Sequence, residues 1–261
     1  MSAPEAKREF EGKRAFVTGG SRGIGHAVCI ELARGGADVA FVYRSRDAEA
    51  EATAAQLRAL GRRGLAIKAD LADSAVVTAA LNRAATELGG MDVLVHAAGA
   101  MVDWRPVADI AIEEWDRYLA VDLSGAFYVL RAAIPHLRLA GAGAIVAISS
   151  IAAQMCQPRN AQGASAKAGL EALIRVIARE EGKRGIRANV VAIGLTDTDM
   201  GRAAFAAWGP ETTQRVIRGI PLQRIGTPEE VARVVCFLAG SGGAYITGKV
   251  LQVDGGQIIA A

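Results

Sequence analysis

The 261 residues are 51% hydrophobic and 22% charged, enough apolar content for one large core and too little charge for a disordered chain. A net charge of +3 with no Lys/Arg run excludes a basic face for nucleic acid, and no apolar run is long enough to cross a bilayer. Cys29, Cys156 and Cys236 are widely spaced, with no CxxC, which argues against a disulfide or metal framework and suits reduced thiols in a cytoplasmic protein.

The polar opening reads as a flexible tail over residues 1–11 rather than a signal peptide, followed by a single domain over 12–261. Strand-length apolar runs then alternate with helical periodicity, the pattern of a parallel sheet built from βαβ units. Arg14–Thr18 is the first strand, followed by a glycine cluster and a helix through Ala33. Val39–Tyr43 is the second strand, with a helix over Asp47–Leu60 after it. Leu65–Ala69, Asp92–His96, Ala144–Ile148, Arg187–Val191 and Val250–Val253 continue the series, and two long helices are predicted over Glu113–Arg138 and Gln162–Gly182. The run from Leu195 to Ile225 is irregular, its helical pieces interrupted at Gly201, Gly209-Pro210 and Pro221, and it reads as a lid over a ligand or a long connection.

Thr18-Gly19-Gly20-Ser21-Arg22-Gly23-Ile24-Gly25 lies between the first strand and the first helix. Glycines there let the backbone turn sharply and approach a pyrophosphate, whose charge rests on the helix N-terminus. The spacing Gly19-x-x-x-Gly23-x-Gly25 differs from GxGxxG and resembles the TGxxxGxG pattern of the short-chain dehydrogenase/reductases. Asp70-Leu71 resembles that family's adenine-contacting pair, and His96-Ala97-Ala98-Gly99 its NNAG segment with His in place of the first Asn; His96 itself reads as structural. Asn189 to Ala192 resembles the strand before its PG motif, with Ile193 where Pro precedes Gly194. Thr198-Asp199-Met200 resembles its TxM loop, and Val253-Asp254-Gly255-Gly256 its C-terminal ending.

The resemblance implies an α/β fold, a single doubly wound Rossmann-type parallel sheet of about seven strands with helices on both faces. It implies a nicotinamide dinucleotide held by Gly19, Ser21, Arg22, Gly23, Ile24, Gly25, Arg44, Ser45, Asp70, Leu71, Ala97, Ala98, Gly99, Lys167, Gly194 and Thr198. It also implies a homotetramer. NADP(H) is preferred over NAD because the second strand ends in Tyr43-Arg44-Ser45-Arg46, with no acid for a ribose 2′-OH until Asp47. Asp47 reads as a helix N-cap, and Arg44 with Arg22 as a bracket for a 2′-phosphate.

The family's catalytic groups are a Ser, a Tyr within Tyr-x-x-x-Lys, the Lys and an Asn. Here Ser150 and Lys167 match, Asp122 stands for the Asn, and Gly163 stands where the Tyr belongs. The seven-residue Tyr-to-Lys spacing of enoyl-acyl carrier protein reductases gives Asn160, and a dienoyl-CoA reductase alignment falls near Ala152. None of Tyr43, Tyr118, Tyr128 and Tyr245 lies in the catalytic segment. A positioned acid contributes ~10²–10⁴-fold, so its loss cripples ketone reduction and spares cofactor binding. With Ser150, Lys167 and Asp122 as the catalytic candidates, the reading is an NADP(H)-dependent oxidoreductase reducing a polarised C=O, C=C or C=N bond. Its proton then comes from Asp122, Cys156, a water held by Ser150 and Gln154, or the substrate. Cys156 by itself reads as a small apolar filler. The small residues Ala161, Gly163 and Ala164 predict open space in place of the phenol, covered by Phe205, Trp208 and Ile217. The alternatives are a non-redox isomerase, dehydratase or cyclase, or a catalytically silent nucleotide-binding partner subunit.

Overall fold

The strands are apolar on both faces because helices cover both sides of the sheet. Phe16, Leu94 and Ile145 point to one face, and their neighbours Val17, Val95 and Val146 to the other, each set fully buried in its own core cluster. The computed structural model describes residues 8–259. Its strands are β1 (Arg14–Thr18), β2 (Asp38–Tyr43), β3 (Gly64–Lys68), β4 (Val93–His96), β5 (Gly143–Ser150), β6 (Ile186–Ile193) and β7 (Val250–Val253). They form one seven-stranded sheet in the order β3-β2-β1-β4-β5-β6-β7, and every pairing is parallel.

The helices are α1 (Gly23–Arg34), α2 (Asp47–Ala59), α3 (Ser74–Leu88), α4 (Ile112–Leu119), α5 (Gly125–Leu139), the single turn α6 (Ala152–Met155), α7 (Ala161–Glu181), α8 (Asp199–Trp208), α9 (Pro210–Arg218) and α10 (Pro228–Ala239). Helices α3 and α10 complete crossovers that the sequence pattern leaves unassigned. The first is capped by Asp73, whose carboxylate accepts from the Ala75 and Val76 amides. The second carries a capping box between Thr227 and Glu230. Chain order reverses across β1 and β4, so the crevice at their carboxyl ends is where such a sheet binds ligands.

Three expectations change. Residues 1–7 of the predicted tail lie outside the described residues, and its inner end is part of the body: Phe10 is buried and its amide donates to the Gly35 carbonyl at 2.7 Å. The helix predicted over Glu113–Arg138 is interrupted by a π turn at Ala120–Ser124. Such turns are tolerated where they re-aim a functional side chain, and this one carries the buried Asp122. In the irregular run, Gly201 does not break α8. It sits in the first turn because a Cβ there would come within 2.2 Å of the Thr196 carbonyl.

Candidate active site

The β1–α1 turn is shaped by what its residues lack. Gly19 has φ +73°, and a Cβ on it would lie 3.0 Å from the Ala98 backbone. A Cβ on Gly25 would lie 2.2 Å from the Gly19 carbonyl oxygen, so helix and turn meet backbone to backbone. Gly23 has φ +54°. Arg22 at the N-cap gives no side-chain cap and the first turn of α1 holds no acid, which leaves its amides free for an anion. Ser21 and Ile24 flank this opening, both half-buried.

Thr18 stitches the turn to β4. Its buried Oγ1 accepts from the amides of Ala97 and Ala98, each at 3.0 Å, and lies 3.1 Å from His96 Nδ1. Burial, with a further push from the Lys167 charge, drives the His96 pKa down to about 3. A neutral, wholly buried imidazole bound to a strand-end threonine is a structural part, as its position in the sequence suggests.

At the end of β2, Arg44 and Ser45 are exposed, and Arg44 lines a hollow with Lys68, Asp70 and Asp73. Asp70 shapes the rim by accepting from the Ala72 amide at 3.0 Å, and Leu71 is buried behind it. The N-cap assigned to Asp47 is corrected. Asp47 is the first helical residue and makes no cap; its carboxylate accepts from Lys68 Nζ at 2.9 and 3.0 Å and from the Tyr43 hydroxyl at 3.0 Å. Lys68, on the adjacent strand β3, is a second cation at this corner that the reading of β2 alone could not supply. The arginine bracket is looser than expected. Arg22 is paired with Asp199 at 3.2 Å, whereas Arg44 has no side-chain partner among the described residues.

At the other end of the crevice, the buried Asp122 turns one carboxylate oxygen to a backbone amide and the other to a lysine ammonium. Oδ1 receives the Ala100 amide at 2.6 Å and Oδ2 lies 3.1 Å from Lys167 Nζ. Gly99 lets this pair approach, since a Cβ there would stand 3.3 Å from Oδ2 and 3.5 Å from Nζ. Ser150 ends β5, and its Oγ accepts from the Ala152 amide at 3.1 Å, leaving its proton free to donate. The neighbouring Ser149 points away, donating to the buried Glu171 at 2.7 Å. Gly194 closes against Asp254, with a would-be Cβ 2.7 Å from its Cα. The Thr198 hydroxyl caps α8 by accepting from the Gly201 amide at 3.1 Å, and its methyl stands 3.5 Å from where a Cβ on Gly23 would be.

The open space predicted at Gly163 is filled. A Cβ on Gly163 would meet Asn160 Oδ1 at 2.2 Å, so the amide of Asn160, itself buried, lies where the phenol stem would begin. Asn160 Oδ1 and Gln162 Oε1 are buried with no hydrogen-bond partner, while Gln162 Nε2 donates to Glu114 at 2.8 Å. Tyr118, one helical turn before Asp122, is brought to the site although its position in the chain is remote. Burial raises its pKa, and the neighbouring Asp122 charge and a hydrogen bond to it add to the rise. The i, i+4 spacing on one helix was the available signal. Cys156 is exposed at φ 49°, which overturns its reading as a filler. Gln154 is held by Gln252 at 2.9 Å.

Comparison with known proteins agrees with this geometry. A family model described as enoyl-(acyl carrier protein) reductase matches residues 19–257. A short chain dehydrogenase/reductase of Aspergillus aculeatus is 34% identical, covering 98% of this chain and 99% of its own. The 3-oxoacyl-(acyl-carrier-protein) reductase of Staphylococcus aureus is 35% identical over 94% of this chain and 98% of its own. A short chain dehydrogenase from Burkholderia cenocepacia, solved in complex with NADP, superposes with a TM-score of 0.89 at 38% identity, covering 95% and 99% of the two chains.

Proposed function

From the premise that the chain belongs to the short-chain dehydrogenase/reductase family of oxidoreductases, we propose that it is an NADP(H)-dependent reductase with an altered catalytic site, acting on a bond polarised by conjugation. One observation carries this reading: the Lys167–Asp122 pair and Ser150 are in place beside a Gly163 whose missing side chain is replaced by the Asn160 amide.

The residues present fit the dinucleotide. The glycine turn and the uncapped first turn of α1 offer backbone amides to a pyrophosphate, and added Cβ atoms would fill that cradle. The unpaired Arg44, with Lys68 nearby, suits a 2′-phosphate better than a hydroxyl. When bound there, the cofactor supplies a hydride. Lys167 is placed to grip the nicotinamide ribose, and Asp122 holds its ammonium in position. Ser150 donates to the substrate atom that gains negative charge. An amide does not release a proton near neutral pH, so Asn160 can donate a hydrogen bond but cannot take the acid's part. Asp122 accepts a backbone amide on Oδ1 and is ion-paired with Lys167 through Oδ2, which makes it a positioning group. A substrate whose negative charge spreads over a conjugated system needs the missing acid least.

The test is a fluorescence titration with NADPH and NADH, then NADPH consumption on simple ketones, enones and imines. We expect NADPH to bind at least about tenfold tighter than NADH, a preference that Arg44→Leu removes. We expect turnover of a conjugated acceptor far above that of simple ketones. Ketone reduction at the rate of an intact family member would sink the altered-site reading. NADPH binding without turnover of any class would favour an isomerase, a dehydratase, a cyclase or a silent subunit. Light scattering is the check on the proposed homotetramer.

A further inference from the structure

The chain is poor in aromatic residues, 5% overall with three tryptophans, yet two of those three meet at one place. Trp104, in the loop after β4, packs edge to face on Trp208 at the end of α8, with centroids 5.3 Å apart. Phe205 extends the cluster at 6.0 Å from Trp208. The two indoles line a pocket whose remaining walls are Asp103, Ala207 and the segment Gln157 to Arg159 between α6 and α7. All three contributing segments follow the carboxyl ends of β4, β5 and β6, the edge that carries Ser150, Lys167 and the glycine turn.

Two charged groups line the pocket, and one is already neutralised. Asp103 accepts from Arg105 at 2.8 and 3.1 Å. Arg159 has no hydrogen-bond or ion-pair partner among the described residues and is left as the pocket's free cation. It sits at φ 62°, a conformation side chains rarely adopt, three residues after Cys156 at φ 49°. The segment therefore holds two non-glycine residues in the left-handed region, strain of the kind that collects at ligand clamps.

We infer that this pocket is a substrate subsite for a flat aromatic compound bearing an anionic group, its ring against Trp104 and Trp208 and its carboxylate or equivalent on Arg159. The inference deepens the proposed reductase reading and rests on it for the identity of the reaction edge. The two fit chemically. An aryl ring conjugated to the reducible bond spreads the charge that the absent phenol would have quenched. The guanidinium fork suits a carboxylate and the indole faces suit a ring.

The experiment is calorimetric titration of the full chain, with and without saturating NADP+, using trans-cinnamate and its neutral isostere trans-cinnamamide. Cinnamate is expected to bind at least about tenfold tighter than the amide. Arg159→Gly, which tolerates the left-handed backbone, removes that difference and leaves cinnamamide binding unchanged, so the amide also reports folding. Arg159→Lys keeps part of the preference, and Trp208→Leu weakens both ligands. Equal affinities in the wild type, a preference that survives in Arg159→Gly, or no cinnamate binding would each overturn the inference. A separate NADPH titration keeps the two readings apart. Arg159-dependent cinnamate binding without NADPH binding leaves the subsite standing and removes the reductase, and the reverse result does the opposite.

Discussion

The β1–α1 turn and the segment from β5 into α7 lie at the same edge of one sheet, yet they are constrained in opposite ways. In the first, the neighbour that forbids a side chain is backbone: the Gly19 carbonyl stands 2.2 Å from where a Cβ on Gly25 would be. In the second, the neighbour at the same 2.2 Å from Gly163 is the tip of a single side-chain amide, Asn160. A carbonyl locked into a turn cannot move without remaking the turn, whereas an asparagine can change rotamer. The nucleotide half is therefore fixed by geometry that no substitution preserves. The chemical half has at Gly163 a position that can be refilled. On the proposed reading, binding and turnover become separable properties of this chain.

The largest effect tests the rigid half. Gly25→Ala is expected to lower NADPH affinity by about two orders of magnitude or more, since backbone groups must shift to admit the methyl. A fluorescence titration measures this, with circular dichroism to confirm that the sheet survives. A loss of less than about threefold would show that the turn does not cradle the pyrophosphate.

The compliant half is tested next. Asn160→Ala with Gly163→Tyr clears the amide and installs a phenol four residues before Lys167. We expect ketone reduction to rise about 10²-fold, the lower end of what a positioned acid contributes. Gly163→Tyr alone should gain less, because the phenol stem must first displace Asn160. NADPH affinity should stay within about threefold of wild type in both. A double variant that binds NADPH and gains nothing would mean that a proton donor is not what the site lacks.

The same contrast governs what could be read from the chain. Glycines that act through backbone approach are visible as letters, so the turn at Gly19, Gly23 and Gly25 was legible, and with it the doubly wound parallel sheet that the resemblance implies. So was the absence of a tyrosine at 163, and the ion pair of Lys167 with Asp122 brings together two of the residues named from the chain. What the letters do not carry is where a side chain goes once a neighbour is removed. Small residues around Gly163 suggested a vacancy, but close-packed interiors fill such spaces, and the nearest flexible group was Asn160. Asp47 looked like a cap because it opens a helix. Its partner Lys68 lies on an adjacent strand, and only the β2–β3 register brings the two together. Tyr118 was set aside for its distance in sequence from the catalytic segment, and the turns at Ala120–Ser124 return it to Asp122.

The smallest effect sharpens the comparison at the seam between the two halves. His96 touches Thr18 of the nucleotide turn and feels the charge of Lys167 from the catalytic side. Its pKa falls from the ordinary 6.5 to about 3 on folding, so between those values the unfolded chain binds the extra proton and the native chain does not. The sign follows: the stability tied to the neutral imidazole is fully present above about pH 6.5 and is lost progressively as pH falls toward 3, by at most about 1.4 kcal/mol per pH unit. His96→Asn removes the titrating group and keeps an amide within reach of Thr18 Oγ1. Urea unfolding at pH 7, 6 and 5 should show the wild type losing about 1–2 kcal/mol more than the variant across that range. All other titrating groups are common to both proteins, so they cancel in the difference. Parallel curves would mean that the imidazole takes up its proton inside the fold, which requires the seam to open toward solvent at its unpaired Nε2. In that case the two halves would be joined by a mobile contact, and a change at Gly163 could no longer be expected to leave cofactor binding untouched.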